Sequence, residues 1–412
     1  MLLVEKVTMK QRTPVLKACV VAALLGALST TAQALTLSEA LQLAMTQHPS
    51  VMSRQKELDA ANFRLQGAER QLFPNLVLQS GKDIYGNNTQ TYRIEQNVWT
   101  AGRVTGEIDG AGAGIKAAQA NVDLARMDIM DKVIQAYTDL GRAQTRIVVA
   151  RSNVQEHERL ADLIARRVGG EVSPTSDGVM GMARLAQARA ELGQMMALEA
   201  RARSTLTQAL GQDVGSIVVP EQQELAFSDF NALLLKAIDY SPTLRKLSFE
   251  EAAQQADVRV KESANWPQLK LRADKITGGV MPLQQTYLTL EYQSGAGFNT
   301  MTQAREAASK LESLSVSRET SRRELADRVS SDWVDMQSYK LQLQDLRAQV
   351  NSTNEVFDSF VRQYAVGRKT WIDVLNAQRD VAQARYQQAD VDWGMLRAAL
   401  KLKLATGTLI EQ

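Results

Sequence analysis

The chain has 412 residues, of which 44% are apolar, as expected for a folded protein of two or three ordinary domains. Its net charge is only +2, and no basic patch or RNA-binding signature remains beyond the basic N-terminal segment, which argues against nucleic acid as a partner. The presence of only 8 prolines, with 5% aromatic residues, favours long helices over a compact mixed core.

Residues 1–34 are typical of a secretory signal peptide. Basic residues precede an apolar run over residues 18–28, and Ala32-Gln33-Ala34 offers the small-x-small pattern for cleavage. The run is about half as long as a membrane-spanning helix, which needs roughly 20 apolar residues, so cleavage is favoured over anchoring. Met1 and Met9 are alternative starts.

The mature chain lacks the residue sets that most enzymes need. Cys19, the only cysteine, lies in the signal segment, so disulfides, thiolate metal sites and cysteine nucleophiles are excluded. His48 and His157, the only histidines, have no partner at ligand spacing. Glycines from Gly106 to Gly114 do not form a GxGxxG nucleotide-binding pattern. We therefore predict no metal, no cofactor and no enzymatic activity.

The remaining sequence divides into two similar halves. Phe73-Pro74 corresponds to Trp266-Pro267 at an offset of 193, and Asp177 corresponds to Asp373 at an offset of 196. A change of three residues between these positions indicates one loop of different length, because loops tolerate such changes better than packed elements. The sequence therefore predicts tandem repeats. Their bounds are residues 35–218 and 219–412.

Each half is predicted to open with a helix of roughly 25 residues that ends at the aromatic-proline pair, because proline lacks an amide donor and restricts the preceding residue. Strands follow, in which apolar Leu288 and Leu290 alternate with polar Thr289 and Glu291. Glycine-rich turns near residue 86 and residues 278–282 complete one β-hairpin per half.

A long helix is predicted after each hairpin. Apolar or small residues recur every seven positions in two rows, for example from Val122 through Ile129 and from Val133 through Leu140, which predicts two partner helices for each helix. The stretch from Arg103 to Arg167 corresponds to about 100 Å of helix. Breaks near residues 169–174 and 366–369 precede a shorter returning helix, so each half ends in a helical hairpin.

Two hairpins supply four strands, too few to close a barrel, so oligomerisation is implied. Strands of about ten residues with one apolar face match the length of transmembrane barrel strands. The alternative is a soluble sheet packed on its own helices. Four aromatic residues on or near the strands could form membrane-interface girdles or belong to a soluble core: Tyr92, Trp99, Tyr287 and Tyr292.

The whole mature chain resembles the TolC family of outer-membrane efflux and type I secretion channels. The resemblance rests on the doubled repeat, on Phe73-Pro74 and Trp266-Pro267, and on the string from Tyr364 to Ala377, YAVGRKTWIDVLNA. It implies a mostly α fold with a membrane β-barrel, in which each chain gives four strands and long coiled-coil helices. Three chains would form a twelve-stranded barrel and an α-helical periplasmic tunnel.

The family's closed periplasmic tip implies roles for several residues. By motif position, Tyr364 and Lys369 would link to Asp177 on another hairpin, while Asp373 would help to narrow the bore. The predicted tip also includes Arg368 and Asn376. Lysine and asparagine replace the usual arginine and second aspartate at positions 369 and 376, which would change the lock and weaken the bore's negative field. Without the family, both aspartates would be ordinary helix-start residues.

The resemblance implies an outer-membrane exit duct, with its tunnel in the periplasm. The expected partners are two further copies in a homotrimer, a periplasmic adaptor (membrane fusion) protein, an inner-membrane transporter of the ABC class, and outer-membrane lipid. The absence of a lipid-modified cysteine favours type I protein secretion. The alternatives are a small-molecule or multidrug efflux channel and a periplasmic coiled-coil scaffold without a pore.

Overall fold

The computed structural model describes residues 35–218, 227 and 229–409. The predicted signal peptide, residues 1–34, lies outside the described residues. The elements of the first half, in chain order, are α1 (Leu37–Gln47), α2 (Pro49–Glu69), β1 (Asn75–Lys82), β2 (Asn88–Trp99), α3 (Arg103–Gly169) and α4 (Thr175–Leu210). Those of the second half are α5 (Phe230–Tyr240), α6 (Pro242–Ser263), β3 (Gln268–Gly278), β4 (Leu283–Glu291), α7 (Thr300–Ala365) and α8 (Trp371–Ala405).

The helix of roughly 25 residues predicted before each aromatic-proline pair is present as α2 and α6, of 21 and 22 residues, and a shorter helix precedes each of them. The chain forms two helices there, separated at His48-Pro49 in one half and at Ser241-Pro242 in the other. His48 is extended, with φ −69° and ψ 130°, and its Nδ1 accepts a hydrogen bond from the Ser50 backbone N–H. Proline forces the preceding residue out of the helical region and then begins a new helix, as its fixed φ allows.

The four strands form one antiparallel sheet in the order β1-β2-β3-β4, so the two halves are joined through β2 and β3. One face carries charged pairs. The Arg93 Nε lies 2.8 Å from the Asp274 carboxylate. Both Glu95 and Glu291 bind Lys270 and Arg272, at distances between 2.8 and 3.2 Å.

The opposite face of the sheet is apolar and exposed. Seven of its large apolar side chains are exposed: Leu76, Leu78, Tyr92, Ile94, Leu271, Leu288 and Leu290. The register shifts between Asn97 and Trp99, and this β-bulge brings Trp99 opposite Leu269 on the apolar face. Tyr287 differs from the expectation of a girdle residue, because it lies on the charged face and donates to Asp274 at 3.0 Å. Tyr292 follows the last residue of β4.

The long helices occur where heptad periodicity predicts them. Helix α3 has 67 residues and α7 has 66, which corresponds to about 100 Å each. Helix α3 packs along α4 and also contacts α2, α6 and α8, so members of both apolar rows, such as Val122 and Leu140, are buried. Helix α7 packs along α8 and against α6, and it leaves large apolar side chains exposed, among them Val316, Val334 and Leu341.

The widest core lies where the helices of both halves meet, around Val133, Tyr137 and Leu140. The Tyr137 hydroxyl donates to the carbonyls of Leu35 and Val218, so it holds the start and the end of the first half together. Among the described helices, we find none with a stretch long and apolar enough to cross a membrane.

Candidate functional site at the helix turns

The predicted tip residues lie at one end of the two helical hairpins. Helix α3 ends at Gly169 and α4 begins at Thr175, whereas α7 ends at Ala365 and α8 begins at Trp371. Gly367 has φ +75°, a conformation that glycine adopts without strain, and it ends α7 in a tight turn. The two turns therefore present short loops side by side at the ends of rigid helices.

Tyr364 is the buried centre of this end. Its ring packs against Trp371 with centroids 5.2 Å apart and planes tilted by 44°. Its hydroxyl lies 3.1 Å from the Ser173 Oγ, within hydrogen-bonding distance. Because Ser173 lies in the turn between α3 and α4 and Tyr364 lies at the end of α7, this contact joins the two hairpins of a single chain.

Arg167 completes this arrangement, and the sequence analysis did not identify it. Its guanidinium carbon lies 4.8 Å from the centroid of the Tyr364 ring, a cation–π contact. Its Nε donates to Ser173 Oγ at 3.3 Å, and its Nη1 donates to the Ala365 carbonyl at 3.4 Å. We call Arg167, Ser173, Tyr364 and Trp371 the tip latch. The sequence does carry one signal for Arg167. It is a cation in the last turn of a helix, where its side chain can reach the carbonyls at the helix end.

Asp373 forms a capping box at the start of α8. Its carboxylate accepts from the Thr370 hydroxyl at 2.7 Å and from the Thr370 backbone N–H at 3.0 Å. These two hydrogen bonds, assisted by the charge of Lys369, lower the pKa of Asp373 below its usual value. Within one chain, Asp373 is therefore a helix-start residue that caps α8.

Asp177 lies in the first turn of α4, where the N-cap residue is Pro174 and no side chain caps the helix. The Lys369 ammonium lies 4.2 Å from the centroid of the Phe360 ring. Within the described residues, no hydrogen bond or ion pair joins Tyr364 to Asp177 or Lys369. The expected lock between these three residues is thus not formed inside one chain, where Ser173 and Arg167 engage the tyrosine instead.

The remaining predicted tip residues lie nearby but apart from the latch. Arg368 is exposed, and its backbone N–H donates to the Gln363 carbonyl at 2.9 Å. Asn376 is half-buried and lines, with Asp373 and Phe360, a groove of about 340 Å³ between α7 and α8. In the part of the chain that the structure describes, no three His, Cys, Asp or Glu side chains are placed to hold a metal ion.

Known proteins share this architecture. The profile of the family described as Outer membrane efflux protein matches residues 40–212 and 233–408. The chain is 23% identical to Nodulation protein T of Rhizobium leguminosarum bv. trifolii, over 90% of this chain and 85% of that protein. It is 25% identical to Cobalt-zinc-cadmium resistance protein CzcC of Cupriavidus metallidurans, over 87% of this chain and 86% of that protein. It is 22% identical to Outer membrane protein TolC of Escherichia coli, over 94% of this chain and 85% of that protein.

Solved structures agree at the level of the fold. The outer-membrane channel OprN superposes with a TM-score of 0.82 and 19% identity, over 90% of this chain and 89% of that chain. The outer membrane protein VceC from Vibrio cholerae superposes with a TM-score of 0.80 and 15% identity, over 90% and 96%.

Proposed function

Because this chain belongs to the outer membrane efflux protein family, we propose that it is the exit duct of a tripartite export system that ends in the outer membrane. The expected TolC resemblance is confirmed by the family match and by the TolC relative. The observation that carries the proposal is a sheet with one charged and one exposed apolar face, continuous with two very long helical hairpins. The separate matches of the two halves also support the proposed repeats, 35–218 and 219–412.

The sheet supports a membrane location in an oligomer. Strands β1 and β4 are its edges, and an open edge cannot remain in lipid because its backbone groups would lack partners. Three copies would supply twelve strands, which is enough to close a barrel. The apolar face, with Leu288 and Leu290, would then contact lipid, and the charged face, with Glu95 and Arg272, would line the lumen.

The helices support a periplasmic tunnel. At about 100 Å, α3 and α7 extend far beyond a four-stranded sheet. The exposed apolar side chains of α7 would be covered by a neighbouring copy in a homotrimer. Energy would come from an inner-membrane transporter, joined to the tip by a periplasmic adaptor protein, since the proposed role of the chain is passive conduction.

The tip would act as the gate of this duct. Within each chain, the tip latch fixes the two hairpins relative to each other. Lys369 of one copy would pair with Asp177 of the next, because neither residue has an ion-pair partner among the described residues. Asp373, with its depressed pKa, would supply a ring of three negative charges.

We propose protein secretion of type I as the cargo class, on the ground that the predicted mature chain has no cysteine to carry a lipid. Export of small solutes is the second candidate. It is favoured by the relative named for cobalt, zinc and cadmium resistance, of which the chain covers 86%. Deletion of the gene separates the two: loss of secreted protein without metal or drug sensitivity would favour secretion, and the reverse would favour efflux.

The duct itself is tested by planar-bilayer conductance of the detergent-purified protein, with its mass measured in parallel. Small, steady channels from a particle of three chains are the expected result. A monomer that remains in solution without detergent and gives no conductance would contradict the duct and support a periplasmic scaffold.

A further inference from the structure

A polar cavity that opens partly to solvent lies between α3, α4 and α8, beneath the tip. It measures about 60 Å³, enough for several water molecules. Three of its polar lining residues are more than nine-tenths buried, namely Asn153, His157 and Tyr386. The Asn153 side chain accepts a hydrogen bond from Gln378 at 3.0 Å, which ties α3 to α8 across the cavity. The cavity therefore lies at a polar part of the interface between these helices.

His157 is the unusual member of this cavity. It is only 5% exposed, and its Nδ1 has no hydrogen-bond partner among the described residues. An unpaired buried polar group lowers the stability of the folded state, and an aliphatic side chain at position 157 would avoid that cost. A structural role alone does not account for a histidine at this position.

Burial and the charge of one neighbouring arginine disfavour the protonated form of His157. The charged groups facing the cavity are Arg184 and Glu191 from α4 and Arg379 from α8, with Glu156 beside the histidine on α3. Burial, followed by the charge of Arg184, lowers the pKa of His157, and Glu156 only partly opposes this shift. Packing of the three helices thus favours the neutral form of the imidazole.

The position of the cavity links a positive charge on His157 to movement at the tip. His157 lies twelve residues before the end of α3 at Gly169, or about 18 Å along the helix. Closer to the tip, Gly181 of α4 packs so tightly that a Cβ there would lie 3.0 Å from Ile164 and 3.6 Å from Trp371. Displacement of α4 at the cavity would therefore be transmitted to Trp371, a member of the tip latch.

We propose that His157 is a proton-sensitive element, whose protonation draws water in around its buried ring, shifts α4 away from α8 and loosens the tip. This inference rests on the proposed duct, because its consequence is a change in conduction. A loosened, hydrated form restores the usual histidine pKa near 6.5. The packed form is therefore fully favoured above pH 6.5 and loses that preference as the pH falls below it.

The test compares single-channel recordings at pH 7.5 and pH 5.5 for the wild type, His157→Gln and His48→Asn. The wild-type open probability should rise, because each pH unit below the pKa of the loosened form changes the equilibrium of each chain by up to about tenfold. His157→Gln should abolish the rise. His48→Asn, which retains a capping side chain far from the tip, should behave as the wild type.

A second measurement keeps the inference independent of conduction. Hydrogen exchange in the first turns of α4, from Thr175 to Leu185, is corrected for intrinsic pH dependence and compared at the same two pH values. Faster exchange at pH 5.5 in the wild type but not in His157→Gln supports the proposal, and circular dichroism checks that the variant is folded. Equal exchange in both proteins, or a pH step that persists in His157→Gln, overturns it. The two proposals can fail separately. If the protein never conducts but its hydrogen exchange still changes with pH in a way that depends on His157, the duct is refuted and the proton-sensitive element is not.

Discussion

The guanidinium of Arg167 lies over the ring of Tyr364, 4.8 Å from its centroid, so the last turns of α3 and α7 meet through a cation–π contact. The same arginine donates to Ser173 and to the Ala365 carbonyl. One side chain thus joins both hairpins of the chain at the end that we propose to be the gate. The strength of the closed tip should depend on it.

Arg167→Gln should therefore raise the open probability of the channel. A contact of this kind contributes about 1 kcal/mol, which corresponds to a shift of about fivefold in the closed-to-open ratio for each chain. Single-channel recording measures the change. Arg166→Gln is the matched control, because Arg166 is the exposed neighbour and should leave conduction as in the wild type. Equal behaviour of both variants would contradict the role of the latch.

The lock between copies makes a different prediction. Asp177 and Lys369 have no ion-pair partner within the described chain, so any coupling between them requires a neighbouring copy. Asp177→Ala combined with Lys369→Ala should raise single-channel conductance. The two single variants should each produce most of the effect, because either one removes the pair. Unchanged conductance in the double variant would rule out this lock.

Much of the architecture follows from local patterns. Prolines and heptads predict the long helices and their turns, because helix breaks and helix packing leave periodic signals. By the same rule, Pro49 and Pro242 stand at the breaks that precede α2 and α6. Alternation with Thr289 and Glu291 likewise places Tyr287 on the polar face, where it contacts Asp274.

The tip latch could not be predicted in this way. Arg167 and Tyr364 are separated by almost half of the chain, and only the packing of the two hairpins brings them together. The same holds for Asn153 and Gln378, whose hydrogen bond spans two helices from different halves. A periodic pattern identifies which face of a helix is buried, but it does not identify the polar partner across an interface.

The packing of Trp393 on Gly141 makes a prediction about stability. The indole lies so close to Gly141 that a Cβ atom there would overlap the ring. Gly141→Ala should therefore destabilise the protein by about 1–3 kcal/mol through overpacking. Gly112→Ala is the control, because no atom lies within 4 Å of a Cβ at that position and alanine favours a helix. Thermal denaturation followed by tryptophan fluorescence should give a lower midpoint for the first variant only.

The assignment of the two sheet faces can be tested with one substitution on each. Leu288→Arg places a charge on the apolar face, and in lipid it should cost about 2–4 kcal/mol near the middle of the membrane. Gln285→Arg places the same side chain opposite Asp274 on the charged face and should be tolerated. Yield of folded trimer in outer-membrane fractions measures both. Similar yields of the two variants would show that Leu288 does not contact lipid.

The capping box of Asp373 predicts a dependence of stability on pH. Hydrogen bonds from Thr370 lower the pKa of Asp373 below its usual 3.8, so the carboxylate stabilises the folded state above that pH. This contribution is lost as the pH falls through the lowered pKa, because the protonated acid no longer provides a charged acceptor. Asp373→Asn should reduce the thermal midpoint at pH 6, and the difference should shrink towards pH 2. Asp177→Asn removes a carboxylate at the matching turn without breaking a capping box, so its effect at pH 6 should be smaller. If both variants lower the midpoint equally, the stabilisation comes from the helix dipole rather than from the capping box.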